Sequence, residues 1–419
     1  MRSYTPEGTL EAVTARLPYI ADFGATIVYL SPINRQTLAT FGGYTSPYRI
    51  ADYDAIDPEY GTEADLRALV EEAHRLKLKV LMDIVFYHTG PDSVLMKRPD
   101  FYMHEKDGSL LLGRWKLPRL NLQNAELRRY LIGNLLHWAK DVGVDGFRCD
   151  VAGGLSVDFW EQSRAELDKV NRELIMLAES DEPAQQLKAF DINYNFSYYD
   201  ALLAVVRDGE PALRIRAQWQ KAHASFPRGA RLLHLSDNHD RERADVVFGE
   251  KGAAATAVLN FTLDGIPFVY NGQEIADTTP THHPAHVPIR WDIDVPKGRY
   301  PSASSRRQAA RLQLYERLFQ MRREEAALTA GEVRWLDNSE PNSAVSFVRR
   351  KGREEVLVVI NLSNRKLSGM VDLPTAEYHE LRDLIGQRSL SLPASGKVPF
   401  ALGAFEYLVA KKLPLGRNE

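Results

Sequence analysis

Cysteine is nearly absent. The 419 residues include one, Cys149, so no disulfide forms within the chain. No apolar run approaches the length needed to span a bilayer, so nothing points to a membrane partner. No basic segment followed by an apolar one opens the chain as given, and no signal peptide is read there. The compartment is therefore open: cytoplasmic on the chain as given, secreted or periplasmic if a leader has been trimmed. An excess of one charge is missing too. Lys and Arg number 53 against 56 Asp and Glu, a formal charge of -3, and nothing electrostatic favours a nucleic-acid partner. Repeats and low-complexity tracts are absent, and nothing in the sequence speaks to oligomeric state.

What is present reads as globular. The length exceeds what one hydrophobic core usually supports, so a large domain plus a small one is expected. Aromatics make up 10%, with 18 Tyr, which suits a sugar-binding cleft and ordinary packing equally well. "TLEAVTARLPYIADFG" has helical spacing and a Gly stop, and "ATIVYLSP" follows as a short apolar strand. "GTEADLRALVEEAHRLKL" is a second helix with Thr62 as N-cap, and "KVLMDIVFYH" a strand. "NAELRRYLIGNLLHWAKDVG", "VDGFRCDV", "VDFWEQSRAELDKV" and "ELIMLAES" continue the alternation, and "AFDINYNF", "RLLHLSDNHD" and "IPFVYNGQE" read as further strands.

Strands alternating with helices imply a parallel sheet, and nearly continuous apolar strands imply burial on both faces. Polar residues close many different strands: Asp83 and His88, Arg148 and Asp150, Glu179, then Asn238, His239 and Asp240. A doubly wound sheet gathers its site at one switch point. Many polar strand ends suit a (β/α)8 TIM barrel better, because its active site is assembled from its C-terminal face. From about Gly331 the pattern changes to short strands without helices, which predicts a C-terminal antiparallel β-sandwich domain over 331–419. The barrel then takes 1–330. A segment of about 89–122 forms a short insertion after the third strand and reads as a lid or cleft wall.

"GFRCDVAGG" spaces Arg148 and Asp150 two apart, on one side of a strand. Alone, that is either a structural ion pair or a carboxylate held ionised for chemistry. Four strand-end segments bear on the choice. "DIVFYH", "GFRCDVAGG", "LAES" and "LSDNHD" resemble the four short motifs of the α-amylase family (glycoside hydrolase family 13), in the family's order. "GYTSPYRIADYDAIDPEYGT", "LPRLNLQN" and "GIPFVYNGQE" resemble its neighbouring segments, so that the likeness runs from about Gly8 to Asp292.

The resemblance implies a retaining hydrolase of α-1,4-glucosidic bonds in starch-derived glucans or maltooligosaccharides. The alternatives are a cyclomaltodextrinase, an α-glucosidase or a transglycosylase on small α-glucosides, and, more remotely, a non-catalytic binding protein. It implies Asp150 as nucleophile, Glu179 as general acid/base and Asp240 as the third carboxylate, which stabilises the transition state. His88 and His239 would hold the reacting ring, and Tyr44 would stack on it. Arg148 is expected to lower the pKa of Asp150, and the apolar approach "IMLA" to raise that of Glu179. Asp83 resembles a structural aspartate.

Two departures matter. The family's first motif often has Asn, a calcium ligand, just before its His, where this chain has Tyr87; shortly after the nucleophile many members carry a Lys-His pair that serves substrate binding and a calcium site, where this chain has Gly153 and Gly154. No cofactor is expected, and the usual calcium site is in doubt. The resemblance also places a first barrel strand before Gly8, where Met1–Thr5 reads as a truncated stub.

Overall fold

The computed structural model describes residues 3–39, 45–113, 115–170, 173–281, 287–291, 303–373, 378–386, 389–391 and 396–414. The chain divides into two compact units. The first comprises Met1–Tyr194, Phe226–Leu232 and His282–Ile289; the second comprises Asn195–Ser225, Leu233–Thr281 and Arg290–Glu419. None of the helices among the described residues is long and apolar enough to cross a membrane.

In the first unit, five parallel strands lie side by side in chain order: β1 (Ile27–Leu30), β2 (Lys79–Ile84), β3 (Gly146–Cys149), β4 (Ile175–Ala178) and β5 (Ile192–Tyr194). No strand precedes Ile27 among the described residues. Every residue of β3, and every residue of β2 after Lys79, is buried, which is why these strands read as unbroken apolar runs. Gly146 opens β3 at φ 151°, and a Cβ there would come within 1.9 Å of the Ile175 carbonyl oxygen, so only glycine allows β3 and β4 to pack at this point. The register pairs Asp83 with Arg148 and Cys149 with Ala178, which aligns the C-terminal ends of β2, β3 and β4.

The helices follow from local rules. Thr62 caps Glu63–Arg75 with a reciprocal capping box to Asp65, and Leu66, Leu69, Val70 and Ala73 form the buried stripe. The single helix expected over "TLEAVTARLPYIADFG" is two, Leu10–Thr14 and Leu17–Phe23. The break falls just before Pro18, which lacks an N–H and sits in the first turn of the second piece. Ala125–Leu136 ends in a π-helical turn, His137–Val142, stopped by Gly143 at φ 99°.

The insertion reverses direction twice. Tyr102↔Leu120, His104↔Leu110 and Leu112↔Pro118 pair antiparallel, while Phe101, Tyr102, Leu120 and Leu122 enter the core.

The second unit carries a parallel pair, Leu233–His234 of β6 (Arg231–His234) with β7 (Ile266–Pro267). The strand read over "IPFVYNGQE" is only these two residues, and a 3-10 turn, Gln273–Ile275, follows. From β8 (Glu332–Trp335) onward the strands are antiparallel: β9 (Ala344–Lys351), β10 (Glu354–Asn361), β11 (Leu367–Asp372), β12 (Tyr378–Asp383), β13 (Ser389–Ser391), β14 (Lys397–Leu402) and β15 (Tyr407–Pro414). Six form one sheet in the order β8-β9-β10-β15-β12-β13, and β11 pairs with β14. Leu357 and Val359 from the first sheet share a core with Val371, Val398 and Phe400 from the second, which is sandwich packing.

Candidate active site

Asp150 and Glu179 are each the first residue past a strand, β3 and β4 respectively. Their amides extend the ladder: Asp150 N–H donates to Ile84 O at 2.9 Å and Glu179 N–H to Cys149 O at 3.1 Å. Two carboxyls thus leave neighbouring strand ends together.

Arg148, fully buried, joins them. Its Nη1 lies 2.8 Å from Asp150 Oδ1 and 3.0 Å from Asp83 Oδ1, and its Nη2 lies 2.7 Å from Glu179 Oε1. One guanidinium therefore serves three carboxyls, where the sequence reading had paired it with Asp150 alone. Burial works against the Arg148 charge, but Asp83 and Glu179 outweigh it and hold its pKa well above the ordinary arginine value. For Asp150 the balance runs the other way. Burial pushes its carboxyl well above the usual range, Arg148 pulls it down, and Glu179 and Asp83 push it up again. The expectation of a lowered Asp150 pKa is thus corrected: a single buried cation cannot offset desolvation plus two further acids. Titration of acids this close belongs to the group rather than to one residue.

Past Asp150 the backbone turns sharply. Val151 adopts φ 46° and ψ 41°, an unfavourable conformation for a β-branched residue, and its N–H donates to Glu179 Oε2 at 2.7 Å. Both Glu179 oxygens are accordingly held. Cys149, between Arg148 and Asp150, is fully buried and its thiol is pushed well up by burial, so it is a packing residue.

Two tyrosines complete the arrangement, and sequence reasoning missed both. Tyr29, on β1, and Tyr48 each donate a phenolic hydrogen bond to Asp83 Oδ2, at 2.8 and 2.9 Å. Their signal was available only in part: Tyr29 sits in an apolar strand and Tyr48 in the quoted "GYTSPYR" segment. Tyr194, closing β5, brings its ring centroid 5.7 Å from the Arg148 guanidinium carbon.

His88 is brought to the same place. Its Nε2 lies 3.0 Å from Tyr48 O, and a carbonyl only accepts, so Nε2 carries the proton. Burial lowers its pKa to about 4, which leaves the ring neutral near pH 7 with Nδ1 as an acceptor lacking a partner among the described residues. Tyr44 lies outside the described residues.

The remaining predicted residues belong to the second unit. Beyond β6, His239 Nε2 lies 3.1 Å from Asp240 Oδ2, and Asp240 N–H donates to Asn238 Oδ1 at 2.9 Å. Asp237, buried, accepts from Ala244 N–H at 2.9 Å, and burial raises its pKa to about 6 despite nearby Arg243. Arg243 also pairs with Asp277 at 3.1 Å. Glu274, in the turn after β7, is raised to about 7 by burial.

At the positions where the family's calcium site would draw ligands, the donors do not fit a hard cation. Tyr87 offers a ring, and a Cβ on Gly154 would stand 2.9 Å from Tyr87 Cε2. The Arg119 guanidinium sits 4.8 Å from the Tyr87 ring centroid and bonds Gly154 O at 3.4 Å, so a positive charge already lies there. The acidic residues of "IADYDAIDPEYGT" have partners of their own. Asp54 accepts from Tyr130 and Asn134, and Asp57 from the backbone of Gln36 and Glu59.

Comparison with known proteins follows the same lines. Neopullulanase 2 of Thermoactinomyces vulgaris is 28% identical over 399 residues, covering 88% of this chain and 64% of that protein. A cyclomaltodextrinase of Geobacillus thermopakistaniensis is 25% identical, covering 94% and 70%. The chain thus spans about two thirds of the length of these relatives. Among solved structures, a noncanonic maltogenic α-amylase from Thermotoga neapolitana superposes with a TM-score of 0.87 at 26% identity, covering 98% of this chain and 96% of that one. An α-amylase from Lactobacillus plantarum gives 0.81 at 29%, covering 98% and 97%. The family described as alpha amylase, catalytic domain, matches residues 3–99 and 97–295. With its strand-end carboxyls, its TIM-barrel fold and its C-terminal β domain, this chain belongs to the α-amylase family.

Proposed function

We propose that the chain is a retaining glycoside hydrolase of α-1,4-glucosidic bonds, with Asp150 as nucleophile and Glu179 as general acid/base. The observation that carries this is the single Arg148 guanidinium spanning both carboxyls. Such a span favours the close spacing of roughly 5–5.5 Å used in retention over the wider inverting one. Asp150 attacks the anomeric carbon while Glu179 gives its proton to the departing oxygen, so the glycosidic bond breaks as the glycosyl–Asp150 ester forms. Glu179, now ionised, takes a proton from water, the water attacks the ester, and Asp150 is released.

Arg148 favours the carboxylate form of Asp150 that attacks and is regenerated. Neutral His88 accepts from a sugar hydroxyl through Nδ1. Asp240 and His239 hold hydroxyls of the reacting ring, Asp240 stabilising the oxocarbenium-like state, and Tyr44 stacks on that ring. These roles rest on the family resemblance of each position. The reaction needs no metal, and the Tyr87–Gly154–Arg119 arrangement argues against the family's calcium.

Relatives named neopullulanase, cyclomaltodextrinase and maltogenic amylase support short maltooligosaccharides and cyclomaltodextrins as substrates alongside starch. Product analysis on starch, maltotriose, β-cyclodextrin and pullulan tests the preference, and proton NMR of the first product tests the chemistry. The α-anomer and an inactive, folded Asp150→Asn variant are expected. Initial release of the β-anomer would overturn the mechanism.

A further inference from the structure

The tip of the insertion displays an aromatic ring that the chemistry above does not use. Across the Leu112↔Pro118 bridge, Gly113 N–H donates to Leu117 O and Lys116 N–H to Gly113 O, both at 2.9 Å. Lys116 adopts the left-handed region at φ 57°, and Trp115 stands just before it. Trp115 remains 45% exposed, whereas Trp138 and Trp160 are fully buried.

Its inner side is supported by groups of the candidate site. The ring centroid of Trp115 lies 5.4 Å from that of His88, tilted by 56°, and 6.1 Å from that of Tyr87, edge-on. Tyr87 in turn packs on Gly154, in the turn that follows Asp150. His88 connects through Tyr48, Asp83 and Arg148 to both carboxyls. Two aromatic neighbours thus fix the ring beside the place where a glycosidic bond would be cut. A part-exposed indole is suited to the apolar C–H face of a pyranose, while the sugar hydroxyls stay in water.

We propose that Trp115 is a stacking platform for a glucosyl unit of an α-glucan chain, a subsite additional to the ring held by His88. This rests on the α-glucan hydrolase reading. A chain long enough to reach the platform gains affinity that a short one cannot, so the insertion tip sets chain-length preference.

The test compares wild type, Trp115→Ala and Trp115→Phe on maltotriose and maltoheptaose. The ratio of kcat/KM for maltoheptaose over maltotriose is expected to fall about 5–10-fold in Trp115→Ala, through KM, and to recover largely in Trp115→Phe, as loss of one stacking contact predicts. An equal loss on both substrates would mean that Trp115 merely supports His88, and an unchanged ratio would mean that no sugar stacks there; either overturns the proposal. If wild type turns over no α-glucan, the functional reading fails by itself. Calorimetric binding of maltoheptaose to Asp150→Asn, with and without Trp115→Ala, then decides the platform separately: weaker binding without the indole supports it, and equal or absent binding refutes it.

Discussion

Replacing Asp83 by Asn removes one of the three carboxyls around Arg148 at nearly constant shape. Asp83 and Asp150 accept from the same Nη1, at 3.0 and 2.8 Å, so their carboxyls lie within a few ångströms of each other. At about 5 Å and an effective dielectric constant of about 20, two like charges repel by about 3 kcal/mol, or roughly 2 pH units. Arg148 would relax toward the remaining acids, and partial solvation of Asp150 screens the rest, so about 1 unit should be visible. The sign is fixed: losing a negative neighbour favours the ionised nucleophile, so the Asp150 pKa falls. The acidic limb of kcat/KM against pH, which reports the free enzyme, should therefore move about one unit to lower pH. There is a cost. Tyr29 and Tyr48 both donate to Asp83 while Arg148 approaches its other oxygen. An amide has one acceptor oxygen and turns its NH2 toward a donor, so a stability loss of about 1.5–3 kcal/mol is expected in urea. An acidic limb that stays put, or moves to higher pH, in a folded variant would refute the view that Asp83 governs the charge of Asp150.

Glu179→Gln should lose activity on maltotriose by several orders of magnitude but much less on an α-glucoside with an activated aryl leaving group, because only the former needs a proton; equal losses in rate assays would remove Glu179 from the acid role. Treatment with EDTA should change neither activity nor Tm, and a drop in either that added calcium reverses would show that the Tyr87–Gly154 region, or another part of the chain, binds a metal. His234, fully buried and stacked 4.5 Å from Tyr198, has its pKa lowered to about 4 by burial. Its stabilising contribution is complete above about pH 6.5 and is lost as pH falls through about 4, at most about 3 kcal/mol. His234→Phe should therefore reduce the Tm loss between pH 7 and pH 4.5, and an unchanged loss would exclude His234 from acid unfolding.

What the sequence made legible was local in origin. Apolar runs ending in acids located Asp150 and Glu179 one residue past β3 and β4, and Thr62 announced a helix start, where the structure adds a capping box with Asp65. Spacing of two residues put Arg148 and Asp150 on one side of a strand, as their 2.8 Å contact shows. What stayed hidden depends on neighbours across the sheet. Nothing in "GFRCDV" says that Arg148 also meets Asp83 and Glu179; the β2–β3–β4 register decides that. The direction of the Asp150 shift was misread because burial depth is a property of the assembled strand ends. Tyr29 and Tyr48 were missed because a phenol in an apolar strand looks like packing until its hydroxyl finds a carboxylate.

The departures at Tyr87 and Gly154 illustrate the same limit. In the sequence they are two unrelated losses, 67 positions apart in a chain otherwise close to its family pattern. In space they are one change. A Cβ at residue 154 would stand 2.9 Å from the Tyr87 ring and equally close to Val151 Cγ1, so the ring can occupy this place only because position 154 has no side chain. The Arg119 guanidinium over that ring, bonded to the Gly154 carbonyl, then links the insertion to the turn that follows Asp150. An aromatic ring, a glycine and an arginine thus tie the insertion to the turn behind Asp150. Trp115 meets that same ring at right angles, 6.1 Å between centroids, which joins the proposed platform to the altered site.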